Sequence, residues 1–266
     1  MRTEKKYDHP AITQVELLTE KLIIFNQQLE QTNRQLKASE TARKNIFTNI
    51  THDLRAPIAV IRGAIERLHN DGIDEAERKK MLKIIDSRVA TLEVLIDDMY
   101  YSAMIDQPGF KLSPQKFEVA LILEEYFISM ESAEWLGKRE STLNIPDGFS
   151  ASINIDTKYF FRVLDNLFSN AISHTKKGDR IELGCSDVEG FVEIYLSDSG
   201  AGIPISFLPY IFDRSFIGSS ARTPGKTGSG LGLSIARSIV EKHGGTIRCI
   251  SEQGEGSTFI ISLPSV

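Results

Sequence analysis

At 266 residues, with 41% hydrophobic and 25% charged side chains, the chain is long enough for one large or two ordinary soluble domains. A formal net charge of −5 carries no nucleic-acid footprint, and no run of about eighteen apolar residues offers a membrane span within these residues. The opening residues lack the apolar stretch of a signal peptide, and Cys185 and Cys249 sit in short apolar runs where they fill core space, so a reducing, cytoplasmic setting is expected.

Residues 11 to 40 carry a heptad pattern. Val15, Leu22, Leu29 and Leu36 occupy one seam position, and Leu18, Phe25, Thr32 and Ser39 the other. Gln, Glu, Lys and Asn fill the remainder, so the segment is predicted to be a parallel coiled coil that makes the protein a dimer. The alternative is a lone amphipathic helix packed on its own domain. From Ile46 the register shifts, as it does where two helices widen into a bundle.

Ile46, Phe47, Ile50, Leu54, Ile58, Ile61, Ile65 and Leu68 then form the stripe of an amphipathic helix, within an arc of roughly 120° at 3.6 residues per turn. His52 falls roughly 170° from the centre of that arc, where it must face water or a docking partner. Asp53 follows it directly, and Pro57 lies inside the same helix. The turn signal Asn70-Asp71-Gly72 ends this helix near His69. Asp74 is the expected N-cap of a second helix from about Glu75 to Ile105, with Met81, Ile84, Ile85, Val89, Leu92, Leu95, Ile96 and Met99 on its apolar face. Two helices joined by a short loop make an antiparallel hairpin, and two hairpins are needed to cover the apolar surface as a four-helix bundle.

Asp106-Gln107-Pro108-Gly109 breaks the periodicity and marks a domain boundary. Beyond it, helices are predicted at Ala120–Leu136, Thr157–Ser173 (after the cap candidate Asp156) and Ser229–His243. Strands are predicted at Ser141–Ile145, Ser150–Ile155, Ile181–Ser186, Phe191–Leu196, Thr246–Ile250 and Thr258–Leu263. One sheet with helices on one face follows, an α/β sandwich of about 150 residues. The aperiodic Ser/Gly/Thr/Lys-rich stretch between Arg214 and Ser229 is expected to be a functional loop or lid.

Four clusters carry chemistry. Asn166 and Asn170 are one turn apart on a helix, and two neutral oxygen donors on one face suit a hard cation such as Mg²⁺. Asp198-Ser199-Gly200-Ala201-Gly202-Ile203-Pro204 follows a strand. Its glycines let backbone approach a flat ligand, and its carboxylate can accept hydrogen bonds from an exocyclic amine such as that of adenine. Ile211-Phe212-Asp213-Arg214-Ser215-Phe216 leads into the presumptive lid stretch. Gly228-Ser229-Gly230-Leu231-Gly232-Leu233 opens a helix, where free N–H groups and the positive dipole end favour phosphate. The turn Gly254-Glu255-Gly256-Ser257-Thr258-Phe259 adds another place of close approach. Each cluster alone admits a bland reading as cap or turn; their order and spacing behind an outward His-Asp pair are specific.

Over roughly residues 42 to 265 the chain resembles the catalytic core of two-component sensor histidine kinases. His52 matches the H-box, Asn166 and Asn170 the N-box, Asp198-x-Gly200-x-Gly202 the G1 box, Phe212–Phe216 the F-box and Gly228-x-Gly230-x-Gly232 the G2 box. The resemblance implies an α+β multidomain chain: a coiled-coil signalling helix (1–41), a dimerisation and phosphotransfer domain (42–107) and a Bergerat-type ATP-binding domain (113–266). It implies His52 as nucleophile on the γ-phosphorus of ATP, with Asp53 orienting the ring and taking the proton. Asn170, supported by Asn166, would bind Mg²⁺. The implied nucleotide-contacting set is Asn166, Asn170, His174, Asp198, Gly200, Gly202, Ile203, Phe212, Arg214, Gly228, Gly230, Leu231, Gly232, Leu233 and Thr258. The implied partners are a second copy of the chain and a response-regulator receiver domain, with membrane attachment only through segments outside this sequence.

Three positions depart from the family pattern. Ala56 stands where a Thr or Asn often orients water for dephosphorylating the regulator, so weak phosphatase activity by that route is expected. Ser173 and His174 stand where a Lys is common. Ile217 replaces a second Arg, leaving Arg214, Arg222 and Lys226 as candidate cations for the γ-phosphate. Two rivals were weighed. An ATP hydrolase of the same fold would carry a Glu one turn before the metal Asn, where Asn166 stands; a non-catalytic dimeric scaffold would not need intact ATP motifs. His9, His69, His174 and His243 lie far apart and show no metal-ligand spacing, so zinc is not expected.

Overall fold

The computed structural model describes residues 10–70, 72–107, 109–132, 136–137, 139–214, 216 and 230–266. At several positions between 10 and 52, His52 among them, and at Ser132, it describes the backbone alone. The chain divides into two compact units, 1–51 and 52–266. Helix α1 is Pro10–Leu68. In the first unit the seam residues Leu18, Leu22, Phe25, Leu29 and Leu36 are all at least half exposed in the single chain. Thr32 turns its hydroxyl back to the Gln28 carbonyl at 2.9 Å, as hydroxyls in helices do when nothing better is near. The side chains of Val15 and Ser39 lie outside the described residues.

In the second unit the stripe residues Leu54, Ile61 and Leu68 are half-buried beside the buried Pro57 and Ala64, whereas Ile58 and Ile65 of the expected stripe are exposed in the single chain. Helix α2 is Glu75–Ile105, the range its periodicity predicts. Asp74 caps it by accepting the Glu77 N–H at 2.6 Å, satisfying one of the orphan donors of the first turn. Arg67 near the end of α1 pairs with Glu77 at 2.7 Å, closing a helical hairpin. Among the described residues no helix is long and apolar enough to cross a membrane.

The remainder is a mixed α/β layer structure. Strand β1 (Gln115–Glu118) leads into helix α3 (Val119–Ser132), then β2 (Glu140–Asn144), β3 (Ser152–Ile155), helix α4 (Thr157–His174), β4 (Arg180–Val188) and β5 (Phe191–Asp198). After a short 3₁₀ turn at Leu208–Tyr210 come helix α5 (Gly232–Lys242), β6 (Thr246–Glu252) and β7 (Gly256–Pro264). Five strands form one sheet in the order β2-β4-β5-β7-β6; β2 runs parallel to β4 and every other pair is antiparallel. Alternate residues of β5 (Val192, Ile194, Leu196, Asp198) are buried. The α4 face Phe160, Val163, Leu164, Leu167, Phe168 and Ala171 recurs at three and four. These two patterns build one core between sheet and helices.

Three expectations are corrected. The sheet is not alone: β1 and β3 form a separate antiparallel ribbon, joined to the end of β7 through an Ile153–Ser265 bridge. Strand β1 escapes prediction because Gln115, Lys116 and Glu118 are exposed and only Phe117 carries an apolar signal. Asp156 does not cap α4 with its side chain; its carboxylate accepts the Ser113 N–H at 3.0 Å instead, tying the interdomain stretch to the helix start. Helix α5 begins at Gly232, while Ser229 lies outside the described residues.

Candidate active site

Helix α4 organises the site because its middle and its C-terminal end touch two glycine segments. Near its middle, Asn166 is half-buried, and a Cβ added at Gly232, the first residue of α5, would stand 3.3 Å from Asn166 Oδ1. Any side chain at Gly232 would push into the amide, so glycine is what lets the N-terminus of α5 approach it. At its C-terminal end, the His174 carbonyl accepts the Ala201 N–H at 3.4 Å, and a Cβ at Gly200 would lie 2.5 Å from that same oxygen. The two contact points are eight residues apart, about 12 Å along the helix. Arg139 holds the α4 C-terminus, donating to the carbonyls of Ile172 at 2.8 Å and Thr175 at 2.9 Å. A cation on those last carbonyls is favoured by the helix dipole as well as by the hydrogen bonds.

Asp198 ends β5 and is 6% exposed. Its carboxylate accepts the Gly200 N–H at 2.8 Å. Burial pushes its pKa up from the ordinary value, opposed by hydrogen bonds from the Gly200 and Ser257 backbone. A buried carboxylate so fixed is a directional acceptor for a ligand N–H. The loop after it is shaped by backbone contact: Gly202 has φ +64°, the Gly254 N–H reaches the Ala201 carbonyl at 2.9 Å, and Ile203 N–H donates to Ser251 Oγ at 2.8 Å.

Thr258 does not join this group. It pairs with Ser197 across β5 and β7, and the two hydroxyls meet at 2.9 Å on the face opposite Asp198. Strand alternation puts Ser257, buried and opposite Asp198 in register, on the site side instead. Ser257 and Ser251, whose hydroxyls meet at 3.0 Å, are the residues sequence reasoning missed; the Gly-Glu-Gly-Ser turn was the available signal.

Phe212 packs edge-on against Phe259 of β7, centroids 6.3 Å apart, which anchors Phe212 to the sheet. Arg214 then turns toward the hairpin, where both guanidinium Nη atoms contact the Asp106 carboxylate. Gly230 has φ +65°, Leu231 is fully buried beneath the start of α5, and Leu233 is half-buried. Gly228, Arg222 and Lys226 lie outside the described residues, as does the side chain of His52. The backbone of His52 and Asp53 is helical, and Asp53 is half-buried.

The donor set fits a hard cation carried in with phosphate. Among the described residues the Nδ2 of Asn166 is buried without a hydrogen-bond partner, a donor suited to a phosphate oxygen, and its Oδ1 is the atom a cation would use. Asn170, one turn on, is half-buried on the same helix. Among the described residues no group of three His, Cys, Asp or Glu side chains could hold a metal. A cation here would therefore lean on amide oxygens and on the nucleotide, as Mg²⁺ does. Burial pushes the free thiols of Cys185 and Cys249 up to about 11 and about 12, which leaves them unreactive. His69 bonds its own helix through the Ile65 carbonyl at 2.8 Å.

Comparison with known proteins identifies the family. Residues 42–108 match the His Kinase A (phospho-acceptor) domain, and residues 155–266 match the Histidine kinase-, DNA gyrase B-, and HSP90-like ATPase family. Sensor protein SrrB of Staphylococcus aureus (strain NCTC 8325 / PS 47) is 34% identical over 224 residues, 84% of this chain and 38% of that protein. The chain thus spans well under half the length of that relative. The fold is shared with the Acinetobacter baumannii histidine kinase AdeS (TM-score 0.61, 22% identity, 80% of this chain and 97% of that one). It is also shared with the histidine kinase ThkA, crystallised in complex with response regulator protein TrrA (TM-score 0.67, 24% identity, 84% of this chain and 61% of that one).

Proposed function

The chain belongs to the two-component sensor histidine kinases, and on that premise we propose that it phosphorylates His52 from ATP and passes the phosphoryl group to an aspartate of a response regulator. The observation that carries this reading is the placement of α4 under both glycine segments, with Gly232 at Asn166 and Gly200 at His174. A base held by Asp198 at one end leaves the phosphates near the N-terminus of α5 at the other, where free N–H groups favour them.

Neutral imidazole is the reactive form, and a pKa near 6.5 makes it the majority species at neutral pH. His52 Nε2 attacks the γ-phosphorus; the N–P bond forms as the bond from phosphorus to the β–γ bridging oxygen breaks, and ADP leaves. Asp53 accepts the hydrogen bond of the other ring nitrogen, fixes the tautomer and takes the proton. Asn170 and Asn166 would hold Mg²⁺ through their amide oxygens. The ion neutralises charge on the phosphates when bound; most of the remaining barrier is lowered by positioning. Arg214 supplies a positive charge near the terminal phosphate.

The exposed apolar repeat of the hairpin supports the reading physically. Ile58 and Ile65 on α1, and Leu82, Val89 and Ile96 on α2, repeat every seven residues and are 41–57% exposed in the single chain. A second hairpin would cover them, and a second heptad helix would cover residues 11–40. The working division is 1–41 for signalling, 42–107 for dimerisation and phosphotransfer, and 113–266 for nucleotide binding.

The test is incubation with γ-labelled ATP and Mg²⁺. Acid-labile, base-stable label that disappears in His52→Gln, and is strongly reduced in Asp198→Asn, is expected. Undiminished labelling in His52→Gln would refute the assignment of the phosphoacceptor.

A further inference from the structure

Two ionic contacts join the end of α2 to the nucleotide-binding domain, and they differ in character. Asp98 and Arg162 meet at 2.5 Å with side chains 6% and 13% exposed, and Arg162 also lies over the Tyr101 ring. Asp106 and Arg214 are 46% and 37% exposed. The first is a buried fastening; the second is open to water and easily exchanged.

Arg214 is also close to the phosphate end of the site. A small void is bounded by Ser102 and Ile105 of α2, by Arg214, and by Ser234 and Ile235 in the first turn of α5. Arg214 therefore lies between the last turn of α2 and the helix terminus that faces phosphate. Its planar fork matches one carboxylate or one phosphate in a bidentate grip. Bringing both anions onto one guanidinium would set two like charges a few ångströms apart.

We propose that Asp106 and the terminal phosphate of ATP compete for Arg214, so that Asp106 is a latch opened by ATP and left closed by ADP. The inference rests on the reading of Arg214 as a cation for the γ-phosphate. Without nucleotide, Arg214 ties the segment after Phe212 to the C-cap of α2, where the interdomain stretch begins. The terminal phosphate takes the guanidinium and releases Asp106. ADP lacks that phosphate and leaves the pair intact. Asp106 thereby selects against ATP binding, while the buried Asp98–Arg162 pair stays closed.

The experiment measures affinity of the full chain for a non-hydrolysable imidotriphosphate analogue of ATP and for ADP, both with Mg²⁺, by titration calorimetry. Asp106→Asn, Arg214→Gln and the double variant are compared with the parent, and Asp106→Ser repeats the first with a different side chain. Removing a part-exposed pair is expected to tighten the analogue about two- to fivefold in Asp106→Asn and leave ADP unchanged. Arg214→Gln should weaken the analogue selectively, and the double variant should behave like Arg214→Gln alone. Unchanged analogue affinity in both Asp106 variants, with selective weakening in Arg214→Gln, would overturn the latch and leave the cation role standing. An unchanged preference for analogue over ADP in Arg214→Gln would overturn both.

Discussion

A methyl group on Gly202 would run into the carbonyl oxygen of Glu252, and one on Gly256 into that of Asp198. Both residues also have positive φ, +64° and +108°. Backbone, not a movable side chain, blocks the space, so substitution cannot be absorbed by a rotamer change. Gly202→Ala is expected to lose about 2–4 kcal/mol of stability, read as a fall in chemical-denaturation midpoint, with ATP affinity falling alongside. These two glycines were legible as close-approach sites. The side of the strand was not: Thr258 stood in the candidate set, and only the register with Ser197 shows that Ser257 shares the face of Asp198. A one-residue offset reverses every side chain of a strand, and the turn motif does not fix it.

Among the elements, the helices were the most legible. The bounds of α2 follow from cap and periodicity, and the extent of α4 from periodicity, because apolar residues at three and four leave no second solution. Strand β1 was hidden by its three exposed polar residues, and the role of Asp156 by a partner more than forty positions upstream. The same junction recruits His243, whose Nδ1 bonds the Ile239 carbonyl at 2.8 Å and whose Nε2 accepts the Asp156 N–H at 2.9 Å. That acceptor role needs the neutral ring. Burial lowers the His243 pKa below 6.5, so on acidification the unfolded chain takes the proton before the native one does. The contribution is full above about pH 6.5 and is lost as pH falls below that value toward the lower native pKa. Thermal unfolding midpoints should therefore rise with pH up to about 6.5 and then level. In His243→Gln, which cannot take the proton, the rise should be smaller; an identical profile would remove His243 from the explanation.

For the whole molecule, sequence order concealed what folding brings together. Arg214 and Asp106 lie more than a hundred residues apart, as Gly232 and Asn166 lie more than sixty apart, and no local pattern links either pair. The motifs were nonetheless readable in order, because each needs a particular residue type for a particular chemical reason. The heptad residues Leu22 and Leu29 are at least half exposed in one chain, which is what the proposed coiled-coil seam requires. Leu22→Asp with Leu29→Asp places two charges in the seam and should shift the chain toward monomer in sedimentation at micromolar concentration. A dimer of undiminished strength would place self-association wholly in the hairpin.

The proposed reaction delivers the terminal phosphate of a nucleotide bound over α4 to His52. The direct measurement is mass-spectrometric mapping of the phosphorylated residue in the full chain after incubation with Mg²⁺ and ATP, kept at neutral or basic pH throughout. A single phosphate on the peptide containing His52, localised to its imidazole and absent when ADP replaces ATP, is the expected result. Phosphate confined to another residue, or an unmodified His52 in a chain shown to bind ATP, would contradict it.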